Sequence, residues 1–102
     1  DIVAGIEAAM SFSFNGWEVI NLGRSEPVVL INMIRLLELY LGKTTKLEFV
    51  PMPPGDVPYT HANVDKARAL LGYQPSTSFE DGVKQFTQWY TERKNALHTA
   101  PA

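Results

Sequence analysis

Apolar positions along this chain fall into blocks of distinct period. Trp17, Val19, Ile20 and Leu22 form a short apolar, β-branched run closed by Asn21 and Gly23, as in a strand buried on both faces. Ser25, Glu26 and Pro27 then supply a turn and preset φ for a helix start. Beyond them the period becomes helical. Leu30, Ile31, Ile34, Leu37 and Leu41 make one stripe, which Met33, Leu36 and Tyr40 widen to nearly the whole circumference before Gly42 ends the helix. A helix apolar almost all round is buried on more than one side, by the rest of the chain or by a partner. Leu47 to Val50 reads as a second strand. Strand, crossover helix and strand make a right-handed βαβ unit, so the predicted fold class is α/β: two parallel strands covered by about four helices.

The flanking segments supply the other helices. Asp1 can cap a helix whose apolar positions are Ile2, Val3, Ile6, Ala9 and Met10, and Asn15-Gly16 turns the chain into the first strand. Asn63 is an N-cap residue, with Asp65 in the first turn; Val64, Ala67, Leu70 and Leu71 face one way before Gly72. Thr77 and Glu80 have capping-box spacing. Phe79, Val83, Phe86, Trp89 and Tyr90 then predict an amphipathic helix to about Lys94, its aromatic stripe a core face. These boundaries give a domain over 1–94 and a patternless, disordered tail over 95–102. Helical periodicity already runs at Asp1, without an initiating Met, which leads us to expect a C-terminal piece of a longer protein.

Between the second strand and Asn63 the chain reads Pro51-Met52-Pro53-Pro54-Gly55-Asp56-Val57-Pro58-Tyr59-Thr60-His61-Ala62. Closely spaced prolines forbid regular structure and hold the backbone stiffly, so ordering this loop costs little entropy. Open α/β sheets place ligands at such loops after parallel strands. A rigid connector is the competing reading.

Composition narrows the field. With 102 residues the chain is one domain or part of one, and its formal net charge of -2 gives no reason to expect nucleic acid or an anionic membrane as partner. There is no Cys, hence no disulfide, Cys–metal site or Cys nucleophile. A reducing, cytoplasmic setting is the expectation. No apolar run reaches the roughly 18 residues of a membrane span, because Arg35 and Glu38 interrupt the longest. No G-x-G-x-x-G or G-x-x-x-x-G-K-[ST] loop opens a helix, so no cofactor-binding residue is assigned. His61 and His98 stand alone, and no metal site is assigned. Tyr90-Thr91-Glu92-Arg93-Lys94 has Y-x-x-x-K spacing but lies on the terminal amphipathic helix, and no catalytic residue is assigned there.

Four ordered blocks carry a resemblance: Asn21-Leu22-Gly23; Pro51-Met52-x-x-Gly55-Asp56-Val57-Pro58-x-Thr60-His61-Ala62-Asn63; Ala67-Arg68-Ala69-Leu70-Leu71-Gly72-Tyr73-x-Pro75; and Gly82-Val83-x-x-Phe86-x-x-Trp89-Tyr90. With the opening Asp1-Ile2-Val3, they resemble the C-terminal substrate-binding region of the extended short-chain dehydrogenases/reductases (the NAD-dependent epimerase/dehydratase family), closest to UDP-glucuronate 4-epimerases. The resemblance implies that NAD and the catalytic residues belong to an N-terminal Rossmann part, absent here, and that this region closes over the nucleotide sugar. The reaction it implies removes a hydride from sugar C4, rotates the keto intermediate and returns the hydride to the other face. It further implies that Gly55 and Asp56 approach the uridine and sugar, with Tyr59 and Thr60 lining the pocket. Many relatives have Arg where this chain has Pro53, which weakens a charged diphosphate contact; either Arg24 supplies that charge instead or it is solvated surface.

The expectation is therefore the nucleotide-sugar-binding half of an NAD-dependent epimerase, inactive alone, binding no cofactor itself. Its partners would be a UDP-sugar and the missing Rossmann domain, with self-association through exposed apolar helix faces. The alternative is a stand-alone interaction or structural module that kept the fold and lost the enzyme. Decarboxylases and dehydratases of the same family share this plan.

Overall fold

The computed structural model describes residues 1–99. Four helices follow one another: α1 (Ile2–Met10), α2 (Leu30–Leu41), α3 (Asp65–Leu71) and α4 (Phe79–Thr99). Among the described residues there is no strand, so the expected α/β class is corrected to all-helical. The helices lie in two compact units, one made of Asp1–Pro27 with Pro53–Ser76, the other of Val28–Met52 with the chain from Thr77 onward.

The missing βαβ unit has a physical explanation. A strand exists only through a ladder to a neighbour, whereas an apolar β-branched run signals only a tendency to be buried. The two runs belong to different units. In the first, Ile20 and Leu22, two residues apart, pack on a core while Trp17 is 82% exposed. In the second, Phe49 is 87% exposed.

In the first unit α1 packs on α3. Buried Val64, Ala67 and Tyr73 form the core, with Ile20, Leu22, Ala62 and Leu71 against it. Gly5 permits close approach: a Cβ there would lie 2.8 Å from both Leu22 δ-carbons and 3.2 Å from Tyr73 Cδ2. The Tyr73 hydroxyl donates to the Gly23 carbonyl at 2.9 Å, tying together positions far apart in sequence. The Asp1 carboxylate accepts from the Ser76 amide at 3.1 Å rather than capping α1. Asn63 Oδ1 accepts from the Asp65 amide at 2.9 Å, holding the entry to α3. Gly72, at φ +64, ends α3 with its N–H on the Arg68 carbonyl at 3.1 Å, the bond of a left-handed cap, and the Tyr73 N–H reaches back to the Ala67 carbonyl at 3.3 Å.

In the second unit α2 packs on α4. The rest of the chain does not cover α2 on several sides: none of its residues is buried, and α4 is the helix that packs against it among the described residues, which leaves the other alternative, cover by a partner. Gly42, at φ +63, ends α2 as expected, and Glu38 accepts from the Thr45 amide at 2.8 Å and from the Thr45 hydroxyl. These bonds hold the Glu38 carboxyl below its ordinary range, the hydroxyl contributing most. At the start of α4, Ser78 Oγ accepts the Asp81 N–H at 3.0 Å and donates to its carboxylate at 2.7 Å, one position beyond the pair suggested by spacing. Tyr40 donates to Glu80 at 2.7 Å, which pushes its phenol pKa up because deprotonation would forfeit the bond. Of the expected stripe Val83 is buried, with Thr87 one turn on, while its aromatics are not: Phe86 and Trp89 stack obliquely at 5.9 Å and each stays 55% exposed. α4 continues to Thr99, past the expected Lys94; the rest of the predicted tail, residues 100–102, lies outside the described residues.

Tyr73→Phe deletes the bond to Gly23 while keeping the ring, and should destabilise the chain by about 1 kcal/mol in chemical denaturation. A second test follows from Glu18, whose carboxyl is held below its ordinary range chiefly by the hydrogen bond from Lys66. The unfolded chain binds this proton more readily. Stability from the pair is therefore fully present above the unfolded carboxylate range and lost as pH falls through the lowered folded value. The stability difference between wild type and Lys66→Met, followed by denaturant midpoint against pH, should shrink across that window.

Candidate functional site

The loop from Pro51 carries a defined turn. The Asp56 amide donates to the Pro53 carbonyl at 3.2 Å, with Pro54 and Gly55 between them and Gly55 at φ +85. Proline at the second position and glycine with positive φ at the third are the requirements of a type II turn. Asp56 Oδ1 accepts from the Val57 amide at 2.9 Å, which orients its carboxylate. Farther on, Tyr59 and His61 meet edge to face, ring centroids 5.2 Å apart.

The five residues expected at the site separate into three groups. Thr60 lines a shallow cavity of about 360 Å³ with Asn21, Leu22, His61 and Ala62. Arg24 lines a different cavity, also about 360 Å³, with Ser25, Glu26, Arg68, Gln74 and Pro75. Gly55, Asp56 and Tyr59 line neither of these two, and all three are exposed. Arg24 pairs with Glu26 at 2.9 Å.

Asn21, His61 and Arg68 were not singled out by chemistry in the sequence. They entered only as members of the family-like blocks, Asn21 at the polar end of an apolar run and His61 within the Pro-rich loop. Arg68 reads as ordinary helix surface, because its neighbours Gln74 and Pro75 come near only after the chain reverses at Gly72.

Among the described residues no glycine-rich turn of the kind that cradles a dinucleotide opens a helix. The positive-φ glycines Gly42 and Gly72 stand at helix C-termini, and α2 opens at Val29 without a glycine-rich turn, so no cradle of N–H groups meets a helix N-terminus there. Among the described residues no group of three His, Asp or Glu side chains is placed to hold a metal ion. No helix among them is long and apolar enough to cross a membrane.

Comparison with curated proteins finds partial homology. The chain is 44% identical over 97 residues to an uncharacterised protein of Methanocaldococcus jannaschii, covering 95% of this chain and 29% of that one. It is 44% identical over 75 residues to UDP-glucuronate 4-epimerase 1 of Arabidopsis thaliana, covering 72% and 18% respectively. A probable UDP-glucuronate 4-epimerase of Rhizobium meliloti is 37% identical over 83 residues, covering 81% and 24%. The chain thus spans less than a third of the length of these relatives. No family model and no solved structure matches it.

Gly55→Ala forces a Cβ into positive φ and should open the turn at a cost of about 1 kcal/mol or more. Faster hydrogen exchange of the Asp56 amide, with the amides of α3 unchanged, is the expected readout.

Proposed function

We propose that this chain, homologous to a segment of the UDP-glucuronate 4-epimerases, supplies the nucleotide-sugar-contacting part of an NAD-dependent epimerase. One observation carries the reading: identity of 44% over 75 residues to a UDP-glucuronate 4-epimerase, in a chain whose stiffest loop presents a preset turn at Gly55 and Asp56. Gly55 has no atom within 4 Å of a would-be Cβ, which leaves room for a ligand against the backbone. The Asp56 carboxylate, oriented by the Val57 amide, is an acceptor suited to vicinal ribose hydroxyls. Tyr59, with its ring exposed and braced by His61, offers an apolar face beside a hydroxyl.

In this reading NAD supplies reversible hydride acceptance at the sugar carbon and is held outside these residues. The chain's own contribution is to bind and orient. Exposed Trp17, Phe49 and Trp89 favour a segment covered by further protein, either the remainder of such an enzyme or a second copy. A stand-alone module would leave those side chains in solvent.

Calorimetric titration with UDP and UDP-glucuronate tests the proposal. Saturable binding is expected, weakened about tenfold or more by Asp56→Ala, the loss of hydrogen bonds to a charged acceptor. If the titration shows no binding, and adding the Rossmann part of a homologous epimerase does not restore it, the nucleotide-sugar reading fails and the stand-alone module stands.

A further inference from the structure

We infer that the cleft between Arg24 and Arg68 is a binding site for a phosphate-like oxyanion, separate from the Pro-rich loop. Its lining is rich in donors: two guanidinium groups, the Gln74 amide and the Ser25 hydroxyl, with Glu26 the one carboxylate and Pro75 an apolar wall, around about 360 Å³. Guanidinium N–H groups match tetrahedral oxyanions in geometry and in charge.

The two walls come from distant parts of the sequence and are tied together. Tyr73 is buried, and its hydroxyl bonds at 2.9 Å to the carbonyl of Gly23, the residue before Arg24. The same Tyr73 follows the reversal at Gly72, and its N–H returns to the Ala67 carbonyl. That stop brings Gln74 and Pro75 beside Arg68 as lining of one cleft. Core packing of Val64, Ala67 and Tyr73 therefore holds the backbone segments from which the two arginines project. A preset donor set loses less on binding.

Both arginines already hold carboxylates of the chain, loosely. Arg24 Nη2 lies 2.9 Å from Glu26, whose side chain is 78% exposed while that of Arg24 is 28% exposed. Arg68 lies 3.6 Å from Asp65, with both side chains more than half exposed. Such pairs are solvent-screened and exchange readily. Glu26 acts as an internal stand-in that an incoming oxyanion displaces. Of the five residues expected at the substrate site Arg24 alone lines this cleft, and Gly55, Asp56, Tyr59 and Thr60 do not, so the inference goes beyond the proposed function.

The test is a two-dimensional amide titration of the full chain with inorganic phosphate, chloride balancing ionic strength. Saturable shifts are expected at residues 23–26, 68 and 72–74. Arg24→Gln and Arg68→Gln should each weaken binding about tenfold, and Glu26→Gln should strengthen it several-fold. Lys84→Gln, on α4, and Asp56→Ala should leave phosphate binding unchanged, so failure of the nucleotide-sugar reading is distinguishable from failure here. Displacement of phosphate by UDP would identify a nucleotide as the source of the anion; phosphate retained against UDP would identify the free ion; either keeps the site. The inference is overturned if chloride alone produces the same shifts, or if Arg68→Gln, folded by circular dichroism, binds phosphate within twofold of wild type. Should Arg24→Gln fail to fold, Arg68→Gln and Glu26→Gln carry the test.

Discussion

The first unit depends on the seating of one aromatic ring. Tyr73 fills the space that two small residues leave: Ala67, fully buried on α3, and Gly5, the buried glycine of α1. Its polar tip then satisfies the Gly23 carbonyl at 2.9 Å. A buried tyrosine serves here because one end is apolar and the other can bond. The ring thus joins α1, α3 and the segment around Leu22 in a chain where few other side chains are buried. Enlarging Gly5 would push first on the Leu22 δ-carbons at 2.8 Å and then on the ring itself at 3.2 Å.

Among the described residues of the second unit there is no comparable keystone. Thr87, the buried polar residue of α4, donates to the Lys84 carbonyl of its own helix at 2.9 Å and joins nothing distant. Tyr40 does reach across to Glu80 at 2.7 Å, but both groups are solvated. Exposed pairs of this kind contribute little, because water competes for every bond. α2 and α4 are therefore held mainly by half-buried apolar contact.

What the sequence disclosed and what it concealed divide along locality. Gly42 and Gly72 end their helices in the left-handed conformation, and Pro54-Gly55 makes its turn, because each outcome is decided within a few residues. The four helices were legible for the same reason. Strands were not, since Trp17 to Leu22 and Leu47 to Val50 show a taste for burial without naming a partner backbone. The aromatics of the α4 stripe misled similarly: helical spacing places Phe86, Trp89 and Tyr90 near Val83, yet burial falls on Val83 and Thr87 while the aromatics stay exposed. Arg24 was legible as a cation but not as a neighbour of Arg68, a proximity that requires the Tyr73 tether.

Locality also decides which parts of the chain can be ready for a ligand. The prolines around Gly55 restrict the unfolded chain as much as the folded one, so the loop reaches its turn with little ordering left to do. Its shape does not wait on the small core. The Arg24 and Arg68 cleft is the opposite case: its donors meet only while Tyr73 is seated, so whatever loosens the core also disperses the charges. The two proposed sites of this unit are thus coupled to folding to different degrees. Partial unfolding should abolish the cleft before it alters the turn, because a local dihedral preference survives the loss of long-range packing and a pair of distant side chains does not.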